Sequence, residues 1–136
     1  MRERDEELVA SLDAGDRLEF EGLTTRQVRD VWELFRDTVL PGVRVADAEA
    51  GARLWENYVL DMPETSLVEP CEAPTLIVTG RQDHIVGFRD QLALLEHYPR
   101  ATYLLLDDAG HNPQLEQPTL VAAALQDWSR RVHAAE

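Results

Sequence analysis

Pro74-Thr75-Leu76-Ile77-Val78-Thr79-Gly80 is the stretch on which the fold turns. Its apolar residues are nearly continuous and end in a glycine, the pattern of a strand buried on both faces of a parallel sheet. Downstream, Phe88, Leu92 and Leu95 fall at helical spacing, and Ala101 to Leu106 form a second apolar run. Leu120, Val121, Ala124, Leu125, Trp128 and Val132 then line the inner face of a final helix. Strand, helix, strand, helix in that order predicts a parallel α/β layer over residues 75–136.

Upstream the pattern is helical. Pro63, Pro70 and Pro74 keep residues 63–74 extended and out of helix, which makes them a linker and the internal boundary of the chain. Residues 1–62 read as three short helices. Leu8, Val9 and Leu12 share one side of the first, which stops near Gly15. Thr24 and Gln27 have capping-box spacing ahead of the second, where Val28, Val31, Trp32, Phe35 and Val39 recur at helical intervals until Pro41-Gly42. Asp47 is a good N-cap for the third, whose apolar side carries Leu54, Trp55, Tyr58 and Val59 before Pro63. Three short helices in a row suggest a lid or cap. Trp32, Phe35, Trp55 and Tyr58 are candidates to line a pocket beneath it, but aromatic residues at helical spacing more often fill a core, and that is the preferred reading.

Composition narrows the classes of function. A chain of 136 residues, 44% apolar and 29% charged, is long enough for one domain with a core and far from the signature of disorder. Thirteen basic against 26 acidic residues, a formal charge of -13, repel nucleic acid and anionic lipid. The acidic residues are spread along the chain, as on a solvated surface. Cys71 is alone, so it forms no internal disulfide and has no metal-ligand companion. His84, His97 and His133 also lack partners at metal spacing, and neither a metal nor a cofactor is expected. The first residues are charged and lead into no apolar segment, and no apolar run approaches the ~20 residues of a membrane span. A cytoplasmic protein is expected.

Open α/β sheets place ligands and catalytic groups at the C-terminal ends of their strands. Two loops lie there: Gly80-Arg81-Gln82-Asp83-His84-Ile85-Val86, and Asp108-Ala109-Gly110-His111-Asn112-Pro113-Gln114-Leu115-Glu116-Gln117-Pro118. Both resemble the acid and histidine loops of the α/β-hydrolase superfamily, in the family's order and 28 residues apart from Asp83 to His111. The resemblance implies that Asp83 is the triad acid and His111 the triad base, with Gly110 permitting the tight approach of the histidine loop. Glu116 and Pro118 complete the usual ending of that loop. The competing reading of Asp83 is a carboxylate that merely caps the following turn.

The chemistry requires these residue types. An imidazole with a pKa near ~6.5 takes and returns a proton at neutral pH, while a carboxylate on its other nitrogen fixes the tautomer and stabilises the imidazolium. A hydrolase of this family also needs a nucleophile on a sharp elbow, usually Gly-x-Ser-x-Gly, and an oxyanion hole of backbone amides. The sequence has neither, and Ser11, Ser66 and Ser129 lack the flanking glycines. The resemblance runs from the cap onward and lacks the first strands, the oxyanion loop and the elbow.

The fold class expected is therefore α/β: a partial α/β-hydrolase fold in which a helical cap segment precedes two strand-helix units of a parallel sheet. So small a sheet leaves an unpaired, apolar edge, which favours a homodimer or a second chain supplying the missing half. The functional expectation is the C-terminal part of a serine-type hydrolase acting on a small molecule, with its nucleophile on another chain. The alternative is a non-catalytic remnant that serves as a binding or oligomerisation module. A third option is Asp83 and His111 acting as a general-base pair without a covalent intermediate. The residue that would separate ester, amide, epoxide, haloalkane and carbon-carbon cleavage is the missing nucleophile.

Overall fold

Two aspartates start the first helices. In the computed structural model of the protein, which describes residues 3–56, 58 and 69–135, the Asp5 carboxylate accepts the Leu8 amide at 2.9 Å and opens α1 (Glu6–Ser11). Asp13 accepts the amides of Gly15 and Asp16 at 3.0 Å each and opens α2 (Ala14–Leu23). Each cap satisfies donors that a helix start otherwise leaves without partners. The first helix thus stops at Ser11, earlier than the expected stop near Gly15, and the Asp13 cap places Gly15 inside the first turn of a new helix.

Thr24 and Gln27 do not form the expected capping box. Helix α3 (Arg29–Thr38) begins after Val28 with no side-chain cap. The Thr24 hydroxyl instead donates to the Phe20 carbonyl at 2.6 Å and closes α2. Gln27 forms an isolated parallel bridge with Arg4 and accepts that arginine's guanidinium on its side chain. The extended segment between α2 and α3 is therefore held by the chain start. Pro41, expected to end a helix, lies in the first turn of α4 (Leu40–Val45), where a missing N–H costs no hydrogen bond. Asp47 does cap α5 (Ala48–Glu56), accepting the Ala50 amide at 2.9 Å.

Helices α1 to α4 surround Phe20 and Phe35, which have no exposed surface, together with Leu8, Val31, Trp32 and Leu40. The Phe20 ring meets Trp32 nearly edge-on at 5.2 Å and Phe35 at 5.4 Å between centroids. Trp32 and Phe35 are core, as the spacing suggests. Trp55 and Tyr58 are not: their rings touch at 4.9 Å, but they are 72% and 63% exposed. Val59, Pro63, Ser66 and the first half of the expected 63–74 linker, residues 63–68, lie outside the described residues.

Strands β1 (Thr75–Gly80) and β2 (Ala101–Leu106) pair in parallel, in register from Thr75 with Ala101 to Gly80 with Leu106. Helix α6 (Phe88–Ala93) and a 3-10 turn (Leu94–Glu96) connect them, and α7 (Pro113–Glu116) and α8 (Pro118–His133) follow. The strand-helix-strand-helix order matches the expectation. Trp128 of α8 donates its indole N–H to the Pro74 carbonyl at 2.8 Å, and the Arg131 guanidinium reaches the Arg100 carbonyl at 3.1 Å and the Thr102 hydroxyl at 2.8 Å. These bonds fix α8 across the start of both strands. A second apolar cluster, Leu106, Ala109 and Val121 with Val78 and Leu104 against it, lies at the other end.

Burial of the sheet is less complete than the apolar runs imply. Residues 75–79 are only half-buried, and in α8 Leu120 and Leu125 are exposed while Val121 is buried. Among the described residues the sheet has two strands, so β1 has one edge without a strand partner. No helix among the described residues is long and apolar enough to cross a membrane.

Candidate active site

The two loops after the strands are laced together by the backbone. The Arg81 amide donates to the Leu106 carbonyl at 2.8 Å, and the Gln82 amide to the Ala109 carbonyl at 3.0 Å. At the root of this contact, a Cβ on Gly80 would run into the carbonyls of Gly110 and Ala109. Only a residue without a side chain lets the strands end so close together. Asp108 adopts a left-handed backbone, with φ 50°, and turns the second loop back toward the first. The Gln82 side chain adds two bonds, donating to Asp107 Oδ1 at 2.6 Å and accepting the Ala109 amide at 3.2 Å. Nothing in the sequence marks Gln82 for this role, since its partners lie 25 and 27 residues away.

This lacing brings Asp83 and His111 into contact. Asp83 Oδ2 lies 3.2 Å from His111 Nδ1. Asp83 Oδ1 accepts the amides of Ile85 at 2.8 Å and Val86 at 3.0 Å. Asp83 thus caps the following turn with one oxygen and meets the imidazole with the other. The acid side chain is 10% exposed and the histidine 37%. Burial by itself would raise the Asp83 carboxyl, but the Val86 and Ile85 amides and the His111 ring together outweigh it and hold the carboxyl below its ordinary value. A carboxylate on Nδ1 keeps the proton there and leaves Nε2 as the acceptor.

His111 and Asp83 line an open cleft of about 400 Å³ beside β1, whose walls include Ile77, Val78, Val86 and Gln114. Ser11 lies in α1 and Ser129 in α8, and neither lines this cleft. Among the described residues, no group of three His, Cys, Asp or Glu side chains is arranged to hold a metal ion. His84 is exposed, His97 ends the 3-10 turn with its carbonyl accepting the Cys71 amide, and His133 Nδ1 lies 2.7 Å from the Ser129 carbonyl. None of the three joins the Asp83–His111 pair.

The depressed Asp83 carboxyl sets a pH signature. Its folded pKa lies below its unfolded one, so the stability it contributes is present above the ordinary carboxylate value and is lost as pH falls through the folded pKa. Asp83→Asn is expected to lower stability by about 1–2 kcal/mol at pH 7. That deficit shrinks as pH falls below the ordinary carboxylate value of ~4, where the unfolded chain takes up the proton that the folded Asp83 still resists. Urea unfolding of both proteins from pH 7 to pH 3 measures it, and a gap independent of pH would contradict the ionised Asp83.

No protein-family model matches the chain, and no curated protein matches it in sequence. Among solved structures it is similar to an α/β-superfamily hydrolase from Oenococcus oeni PSU-1, with a TM-score of 0.81 and 22% identity over 89% of this chain and 45% of that one. The chain thus spans less than half the length of that hydrolase. It also overlaps a thermophilic esterase from Thermogutta terrifontis, solved with malate bound, at 37% identity over 44% of this chain and 22% of the esterase. The TM-score of that overlap, 0.41, is too low to bear on the fold. What the superposition over nearly the whole chain and the parallel strand order together establish is a partial α/β-hydrolase fold, helices followed by two parallel strand-helix units.

Proposed function

We propose that the chain is the acid- and histidine-bearing part of a serine-type hydrolase, with residues 1–62 as a cap and the nucleophile supplied by another chain. The observation that carries the proposal is the Asp83–His111 contact in the lining of an open cleft, where Nε2 of the histidine makes no hydrogen bond to a described residue. In this reading Nε2 takes the proton of the incoming serine hydroxyl as its oxygen attacks the acyl carbonyl, then gives that proton to the leaving group. The Asp83 carboxylate stays ionised and holds the imidazolium. The second chain is read as docking along the open edge of β1, which places its strand beside the cleft. The working location is the cytoplasm, and the substrate is a small ester, amide or related molecule.

A second reading, a non-catalytic module that binds a partner or ligand, draws on the absence of a described serine from the cleft and on the exposed Val45, Leu54 and Trp55. Native mass spectrometry on the tagged chain from its own host, with ester turnover measured on the same sample, separates the two. A heteromer with a second chain bearing a Gly-x-Ser-x-Gly elbow, turning over p-nitrophenyl esters, is the expected result. A homodimer alone that hydrolyses nothing would overturn the hydrolase reading in favour of the module.

A further inference from the structure

Glu116 carries a carboxylate with no exposed surface, and backbone amides fill it. Oε1 accepts the amides of Thr25 and of Arg26, the latter at 2.8 Å, while Oε2 accepts the Gly110 amide at 2.5 Å. Two of these donors lie 91 and 90 residues before it in sequence and the third six residues before it. The same two segments are joined again around it. The Arg26 guanidinium donates to the Glu116 carbonyl at 2.8 Å, and the Asn112 side-chain amide to the Leu23 carbonyl at 2.9 Å. Gly110 sits so close to Thr25 that a Cβ there would strike the threonine hydroxyl. Leu115 is buried among the helices of the first core.

Gly110 immediately precedes His111, so whatever holds its amide holds the start of the histidine. Asp83 is already fixed on its own loop by the Ile85 and Val86 amides. The 3.2 Å contact between the pair is at the long end of hydrogen-bond distance, where a few tenths of an ångström on the histidine side decide whether it exists. We infer that Glu116 is a positioning residue, clamping the histidine loop to the turn before α3 and thereby setting the His111 ring against Asp83. Only a group that accepts on both oxygens can take all three amides. A glutamine offers one acceptor, and its amino group opposes either the Gly110 N–H or the Thr25 and Arg26 pair. The geometric inference stands on these bonds, and only its catalytic consequence rests on the hydrolase reading.

The test is Glu116→Gln followed by NMR on protein with ¹⁵N-labelled backbone and histidine rings. The variant is expected to remain helical by circular dichroism and to exchange its Gly110 amide roughly 10–100-fold faster, the loss of one charge-assisted hydrogen bond. The His111 ring nitrogens are expected to leave the single Nδ1–H tautomer of the native chain for an average of both. A folded variant that keeps that tautomer and its Gly110 protection overturns the inference. If the variant does not fold, the native chain decides by hydrogen exchange. Amides of Thr25, Arg26 and Gly110 that open together support the clamp, and a Gly110 amide exchanging like a free loop overturns it. A native chain with the single tautomer and the joint opening but no esterase activity with its partner supports the clamp and removes the hydrolase reading.

Discussion

Replacing His111 by alanine is expected to lower kcat/KM for ester hydrolysis by the chain and its nucleophile-bearing partner by roughly 10²–10⁴-fold. The magnitude follows from what the ring does in the proposed reaction. Without it, the serine proton has no acceptor at the moment of attack and the leaving group no donor afterwards. The fold should hardly notice. Asp83 keeps its bonds to the Ile85 and Val86 amides, and the 37%-exposed ring leaves no sealed cavity behind. Stability is expected to stay within about 0.5 kcal/mol of the native chain, as for other surface changes. Steady-state kinetics on the two complexes, with matched unfolding curves, makes the comparison. Unchanged turnover in the variant would sink the hydrolase reading outright, since no other described histidine meets Asp83.

Gly80→Ala is expected to cost about 3 kcal/mol of stability, at the upper end for an inserted methyl group. The added carbon meets the carbonyls of Gly110 and Ala109, which are backbone and cannot rotate away. Neither loop has room to yield. Ala109 is fully buried, and the loops are tied to each other at Arg81, Gln82 and Asp107. Relief therefore requires moving a strand end or breaking the lacing, and either parts Asp83 from His111. Gly87→Ala is the matched control, because a Cβ there meets nothing within 4 Å. Urea unfolding is expected to show a large loss for the first variant and little for the second. Equal midpoints would mean that the strand ends are not packed as closely as described.

Much of this arrangement was legible in the residues. The apolar runs at Leu76–Val78 and Ala101–Leu106 are local signals, and each is a strand. The two loops that hold Asp83 and His111 were legible because each follows a strand, and parallel strands bring successive loops to the same end of the sheet, whereas the choice of these two residues as acid and base came from the resemblance to α/β-hydrolases. Trp32 and Phe35 were read correctly as core because their spacing matches a helix that buries one side. The same rule failed for Trp55 and Tyr58, since spacing reports that a face is apolar and not that anything covers it. The capping box at Thr24 and Gln27 failed for a related reason. Both side chains had nearer competitors, the Phe20 carbonyl for one and Arg4 for the other.

The sequence by itself determined the two strands, their parallel order and the two loops that carry the candidate acid and base. Those features rest on patterns a few residues long, and the chirality and connectivity of parallel strands do the rest. Only the tertiary structure decided that Gln82 laces the loops, that Gly80 must lack a side chain and that Glu116 joins Thr25 and Arg26 to Gly110. A buried carboxylate is stable wherever enough donors converge on it, and no spacing along the chain records that donors about 90 residues away will be the ones to arrive.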